Sequence, residues 1–287
     1  MENLSATELY ARYTNKEMTR RQFLDKLAVV AGGVAAAYAV LPLLEGSPAQ
    51  AEIVAAGDTR LAAQVAQFAV AGGQMSGYQA QLKGAGKQPA ILVVHENRGL
   101  NPHIEDVARR FALEGFLALA PDALSPFGGS PADPEKAIAM IKELDMGGTV
   151  KNFAAAAAYL KTHPQSTGKV GVVGFCWGGA VANYLAVQSA DIIAAVPYYG
   201  KQPPTEDVVK IKASLLLHYA ELDERINTGI PDLKEALQKA GVEHELYMYA
   251  GTEHAFNNDT NPARYNKVAA ELAWKRTIDF LTRKLKS

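Results

Sequence analysis

The strongest constraint in this sequence is a succession of short apolar runs that each stop at a polar or reactive residue. Ala90–Val94 ends at His95-Glu96, Phe116–Ala120 at Pro121-Asp122, and Val170–Phe175 at Cys176. Ile192–Pro197, Leu215–Leu217 and Val242–Tyr249 complete the series, the last alternating more than the others. Runs this short and this uniformly apolar fit strands buried on both faces. Helix-like stretches lie between them: Ile104–Glu114, Pro134–Asp145, Val150–Leu160, Gly178–Gln188, Pro231–Lys239 and Pro262–Lys284. Pro231 and Pro262 stand where a helix begins, and Gly147-Gly148 is expected to break the second helix from the third. Strands alternating with helices predict an α/β fold, a mainly parallel sheet with helices on both faces. Residues 52–88 are richer in glycine (Gly72-Gly73, Gly77, Gly84, Gly86) and suit hairpins or edge strands. In such a sheet ligands bind beyond the carboxyl ends of the strands, where His95, Glu96, Asp122 and Cys176 stand.

The chain is not uniform along its 287 residues. Residues 1–26 are polar and of mixed charge, and an uncharged run follows from Leu27 to Leu44. Thr19-Arg20-Arg21-Gln22-Phe23-Leu24 resembles a twin-arginine export signal, and Ala49-Gln50-Ala51 has the small-x-small form of a cleavage site. The expected division is a signal segment at 1–51 and a single domain at 52–287, with the protein periplasmic or otherwise exported. The alternatives are a membrane anchor through 27–44, whose length approaches that of a span, and a buried Ala-rich helix of a cytoplasmic protein. Residues 1–51 carry five basic and five acidic side chains, so cleavage leaves the net charge of −1 unchanged. That balance argues against nucleic acid as a partner, since phosphate binding relies on excess Lys and Arg. Any membrane association would run through the N-terminal segment alone.

One cysteine permits neither an intrachain disulfide nor a zinc finger. It lies in Gly174-Phe175-Cys176-Trp177-Gly178-Gly179, at the change from strand to helix. This is G-x-C-x-G, the form of a nucleophile elbow with sulfur in place of the serine oxygen. Small residues two before and two after let strand and helix approach, and the helix N-terminus favours a thiolate. A buried structural cysteine is the plain alternative, but it leaves the flanking glycines unexplained. Acyl transfer on such a thiol needs a base and an orienting acid, which follow the nucleophile in chain order in folds of this kind. Asp223, just past Leu215–Leu217, and His254, just past the last strand, occupy the expected places, with Glu221 and Glu224 competing for the role of Asp223. The backbone N–H groups of Asn97 and Trp177 are the candidate oxyanion donors. Glu96 reads equally as a solvated carboxylate, a partner of Arg98, or a catalytic group. His103, His163, His218 and His244 read as helix-end or strand-end residues.

These ordered motifs, with Pro197-Tyr198-Tyr199-Gly200 and Gly251-Thr252-Glu253-His254-Ala255-Phe256, resemble the dienelactone hydrolase family over roughly residues 70–285. The resemblance implies the α/β-hydrolase fold, with Cys176 as nucleophile, His254 as its base and Asp223 orienting His254. It also implies a glutamate able to meet the resting thiol, here Glu96, and it calls for no metal or organic cofactor. Family members acting on dienelactone hold the substrate carboxylate with arginines. Where those would stand, this chain has Ala123-Leu124-Ser125-Pro126-Phe127 and Asn257-Asn258, while Arg98 lies on a different loop. Losing a charge-assisted clamp weakens anion binding. The expected partner is therefore a small uncharged or bulkier ester, lactone or thioester rather than dienelactone itself. Arg98, Phe127, Tyr198, Tyr199 and Phe256, with Trp177, are candidate pocket residues, although the aromatics read equally as core. Two other classes of function compete: a thiol-based peroxide-reactive protein, which lacks a resolving cysteine, and a non-catalytic exported binding protein on a hydrolase fold.

Overall fold

The computed structural model describes residues 4–14, 17–33, 36–37 and 52–286. Within it, residues 52–257 and 266–286 form one contact unit, and the described part of 1–51 with 258–265 another. The smaller unit holds α1 (Ala6–Thr14) and α2 (Arg20–Ala31). Thr19 caps α2 through a capping box with Gln22, and Gly32, at φ 84°, ends it. Leu9, Phe23, Leu27 and Ala37 form its apolar cluster, with Tyr13 stacked on Phe23 at 4.8 Å. The Arg20-Arg21 pair thus opens a capped helix. Residues 38–51, which include most of the second half of the uncharged run and the whole Ala49-Gln50-Ala51 segment, lie outside the described residues. Among the described residues no helix is long and apolar enough to cross a membrane.

The larger unit is built on one eight-stranded sheet in the order β1-β2-β4-β3-β5-β6-β7-β8. The strands are β1 (Leu61–Val70), β2 (Gly73–Leu82), β3 (Gln88–Val94), β4 (Leu117–Pro121), β5 (Ser166–Phe175), β6 (Ile192–Tyr198), β7 (Ser214–Ala220) and β8 (His244–Tyr249). β1 and β2 form a hairpin, β2 runs antiparallel to β4, and every other pairing is parallel. The glycine-rich segment thus supplies an antiparallel margin to a parallel sheet.

Helices α3 (Pro102–Leu113), α4 (Pro134–Lys142), α5 (Met146–Thr162), α6 (Trp177–Gln188), α7 (Glu224–Asn227), α8 (Ile230–Ala240) and α9 (Lys267–Leu285) complete the unit. Residues of β3 alternate between two cores. Ala90, Leu92 and Val94 pack in one with residues of α4, α5, α6 and α8, and Ile91 and Val93 in the other with α3 and α9. Both faces are covered, so the strand has no face left for polar side chains; this is why the sequence shows a continuous apolar run.

Two helix starts differ from the sequence expectation. α5 begins at Met146, ahead of the glycine pair, because Asp145 caps it by accepting the Gly148 N–H at 2.6 Å. Gly147 and Gly148 therefore form the first turn rather than a break. α9 begins at Lys267, capped by Asn266 through the Ala269 N–H, and not at Pro262, which lies in a turn.

The strand order places the site. From β3 the chain passes through α3 to β4 on one side. It then passes through α4 and α5 to β5 on the other side, so β3 and β5 are neighbours at the point where the order reverses. The connecting helices pack on opposite faces, which leaves a crevice beyond the carboxyl ends of β3 and β5. His95-Glu96 leaves β3 there, and Cys176 leaves β5.

Candidate active site

Cys176 joins β5 directly to α6 at φ 56° and ψ −113°. Its N–H donates to Tyr198 O at 3.0 Å, and its carbonyl accepts from Ala180 N–H at 3.2 Å, the first bond of the helix. A positive φ costs a non-glycine residue free energy that the surroundings must offset. Here close backbone packing does so: a Cβ on Gly174 would lie 2.0 Å from Gly178 O, and one on Gly178 would lie 2.4 Å from both Val94 O and His95 O. Only glycine at these two places lets strand, helix and neighbouring loop approach this closely. Among the described residues the other non-glycine positive φ values belong to Tyr199 (39°) and Ala255 (70°). All three strained residues stand on the loops that meet at this end of the sheet.

His254 and Asp223 reach the site from the ends of β8 and β7. Nδ1 of His254 donates to Asp223 Oδ2, and Asp223 is buried. Glu221 instead accepts the Gly251 N–H at 2.7 Å, and Glu224 is exposed, so Asp223 is the carboxylate brought to the imidazole. Burial works against charge on His254, but the Asp223 hydrogen bond and the adjacent Cys176 sulfur outweigh it and raise its pKa to about 9. Nε2 of His254 is buried and has no partner at hydrogen-bonding geometry. The Cys176 sulfur lies beside this ring and contributes to its raised pKa.

Glu96 is buried, and the Tyr199 hydroxyl donates to its Oε1 in a long contact of 3.5 Å. Burial, with Glu96 and Cys176 nearby, pushes the Tyr199 pKa well above the usual phenol value. The Tyr199 ring also lies 5.0 Å from that of His254 and 5.5 Å from that of Phe256. Arg98 is exposed and Phe127 is 65% exposed in a short turn after β4. Tyr198 lies in the core behind the site: it is fully buried, and its hydroxyl bonds Thr277 Oγ1 at 2.6 Å. Thr277 Oγ1 also meets His218 Nε2, and burial together with Arg276 pushes the His218 pKa down to about 3. Among the described residues no group of His, Cys, Asp and Glu is arranged to hold a metal ion.

Four residues at the site carry no role assigned from sequence: His95, Asp122, Ser130 and Phe153. His95 is fully buried and bonds the Glu96 carbonyl through Nδ1 at 2.6 Å. Asp122 gathers the Leu124 N–H (2.9 Å), the Ser130 N–H (2.7 Å) and the Ser130 hydroxyl (2.6 Å). Ser130 Oγ in turn accepts the Leu100 N–H at 2.9 Å, tying the loop after β3 to the loop after β4. Their signal in the sequence was position alone, His95 and Asp122 standing at strand ends. Phe153, edge-on to Trp177, lines a cavity of about 140 Å³ with Met75, Ala123, Phe127, Leu144 and Asp145.

The profile of the dienelactone hydrolase family matches residues 75–285. "Protein usf" of Aquifex pyrophilus is 35% identical over 228 residues, 76% of this chain and 96% of that protein. A protein of Aquifex aeolicus named "Putative carboxymethylenebutenolidase" is 32% identical over 234 residues, covering 78% and 99%. Among solved structures, one titled "Putative Dienelactone Hydrolase" from Klebsiella pneumoniae subsp. pneumoniae superposes with a TM-score of 0.71 at 27% identity, covering 78% of this chain and 99% of that one.

Proposed function

This chain belongs to the dienelactone hydrolase family and is a carboxylic ester or lactone hydrolase; from that premise we propose that it works through an acyl-enzyme on Cys176. The observation that carries the reading is the strained Cys176 at a helix N-terminus beside a His254 held by Asp223. An imidazolium and a helix N-terminus both favour the thiolate. Its sulfur attacks the substrate carbonyl carbon, and the carbonyl oxygen takes the negative charge between the Asn97 and Trp177 N–H groups. His254 gives its Nε2 proton to the departing alkoxide, then takes a proton from water as that water attacks the thioester. The acid leaves, and the Cys176 thiolate is restored beside a charged His254. Asp223 stabilises the charged imidazole throughout.

The substrate in this reading is an uncharged ester, lactone or thioester, and dienelactone is a poor one. Residues 123–127 and Asn257-Asn258 stand where the family's carboxylate clamp would supply cations, and the cavity beside Phe153 is lined by Met75, Ala123, Phe127 and Leu144 with Asp145, Thr149 and Asn152, no Lys or Arg among them. No cation there offsets the cost of desolvating a carboxylate, whereas an acyl or alkyl group gains by burial. Hydrolysis of a neutral aryl ester by the wild type, abolished in Cys176→Ala and by iodoacetamide, is the expected result. Full turnover in Cys176→Ala would refute the mechanism.

The protein in this reading is exported through its twin-arginine segment and cut after Ala51. Replacing Arg20 and Arg21 together by lysine should leave the full-length chain in the cytoplasm, whereas the wild type yields an exported form beginning at Glu52. Fractionation with N-terminal sequencing decides between them, and unchanged export of the double variant would count against the route.

A further inference from the structure

Both candidate oxyanion donors belong to peptides whose carbonyl oxygens are held from the opposite side. A trans peptide is planar, with its C=O and N–H pointing in opposite directions, so whatever fixes the oxygen aims the N–H. For the Cys176–Trp177 peptide the oxygen is fixed by the Ala180 N–H, a bond of the helix itself. The Glu96–Asn97 peptide lies in a loop and has no helix to do this. Its oxygen accepts from His95 Nδ1 at 2.6 Å and from the Gly99 N–H at 3.3 Å, the histidine contact being much the shorter. Among the described residues, neither the Asn97 N–H nor the Trp177 N–H donates to a protein acceptor.

His95 is itself held on every side. Its Nε2 accepts the Ala123 N–H at 3.2 Å, so the proton of the neutral ring sits on Nδ1, where the Glu96 carbonyl needs a donor. The ring stacks on Trp177 at 5.2 Å and 13°, and Phe153 meets it edge-on at 6.4 Å. Complete burial lowers its pKa and keeps it neutral, with one donor and one acceptor. Ala123 follows Asp122, the hub that also binds the far end of the same loop through Ser130 and Leu100.

We propose that His95 is a positioning residue for the hydrolysis: its Nδ1–H aims the Asn97 N–H at the developing oxyanion and, by bonding the carbonyl of the same peptide, strengthens that donor. This rests on the acyl-enzyme reading of Cys176. His95 touches no substrate; it acts through one peptide group.

Two variants separate its bonds. His95→Gln places an amide near Nε2 and gives up the bond to Glu96, whereas His95→Asn places an N–H donor near Nδ1 and gives up the bond to Ala123. The full chain is assayed with p-nitrophenyl acetate for kcat and KM, and with iodoacetamide for the alkylation rate of Cys176. Alkylation creates no oxyanion, so it reports on the thiol alone. Losing or misdirecting one oxyanion donor costs roughly 10²–10³-fold at most. His95→Gln should therefore lose roughly 10- to 100-fold in kcat, with KM and alkylation within about threefold of wild type, and His95→Asn should recover most of the loss. Three results overturn the proposal: kcat retained in His95→Gln, equal losses in both variants, or alkylation falling in step with kcat. Should either variant not fold, 15N spectra of the wild-type imidazoles decide. A proton on Nδ1 of His95 supports the proposal and one on Nε2 refutes it. Turnover that survives Cys176→Ala counts against the acyl-enzyme reading. Turnover abolished by Cys176→Ala yet intact in His95→Gln counts against His95 alone.

Discussion

Asp223→Asn tests how the site keeps its histidine charged. Asp223 is buried and accepts the Nδ1 proton of His254, whose side chain is only 17% exposed. Raising the pKa from 6.5 to about 9 corresponds to about 3 kcal/mol in favour of the imidazolium. Asp223 and Cys176 share that contribution against the opposing cost of burial. An asparagine keeps the shape but removes the charge, so burial regains ground and the pKa falls back toward or below 6.5. At pH 7.5 a histidine titrating near 9 is about 97% protonated and one at 6.5 about 9%, so most of the imidazolium is lost. The titration is read from the His254 Cε1–H resonance, and kcat from aryl ester hydrolysis. We expect the midpoint to drop by two pH units or more and kcat by on the order of 10²–10⁴-fold, as for other triads that lose their orienting acid. The folded-state pKa is raised. The stability contributed by His254 is therefore fully present below about pH 6.5 and is lost as pH rises through about 9. The difference in melting temperature between wild type and Asp223→Asn should shrink across that window. A midpoint still near 9 in the variant, with kcat within threefold of wild type, would mean that Asp223 does not hold the charge on His254.

Gly178→Ala places a Cβ 2.4 Å from two backbone oxygens, those of Val94 and His95. Neither can move without shifting the end of β3, so urea unfolding should show a loss of roughly 3 kcal/mol, the upper range for overpacking; an unchanged midpoint would contradict the tight elbow. Arg109 is fully buried, donates from Nε to Val54 O at 2.7 Å and from Nη1 to Tyr78 Oη at 3.1 Å, and pairs with Glu52 at 3.2 Å. Arg109→Met should cost about 1–3 kcal/mol in the same assay, because it leaves the Val54 carbonyl without its buried donor, while Asp106 keeps Arg110 and the Ile53 and Val54 N–H groups. A loss below about 1 kcal/mol would show that the strap is incidental.

How much of this was legible follows from the range of the interactions. β3 could be read from sequence because burial on both faces leaves a run such as Ala90–Val94 with no polar position. The elbow could be read because Gly174 and Gly178 are close neighbours of Cys176 in the chain, so the packing constraint is local. The start of α5 could not, since Asp145 caps past a glycine pair that looks like a break. His95 illustrates the harder case: its residue type was visible, but its partners, Ala123 and Trp177, are distant in sequence. Arg109 likewise sits on a helix whose outer residues are polar, and only the return of residues 52–54 shows that it is buried. Tyr198 and Tyr199 look alike in the sequence. The sheet register sends one hydroxyl to Thr277 in the core and the other to Glu96 at the site. The choice of Asp223 over Glu221 was also beyond sequence, because it depends on which carboxylate the β7 loop turns toward His254.

Catalysis in the proposed mechanism passes through a covalent acyl group on the sulfur of Cys176. The direct measurement is intact-protein and peptide mass spectrometry after acid quench within the first turnovers on an activated aryl ester. One acyl adduct per chain is expected, carried by the peptide containing Cys176, formed and lost at rates consistent with kcat and absent from Cys176→Ala. An adduct on another residue, or steady turnover by Cys176→Ala at the wild-type rate, would contradict it.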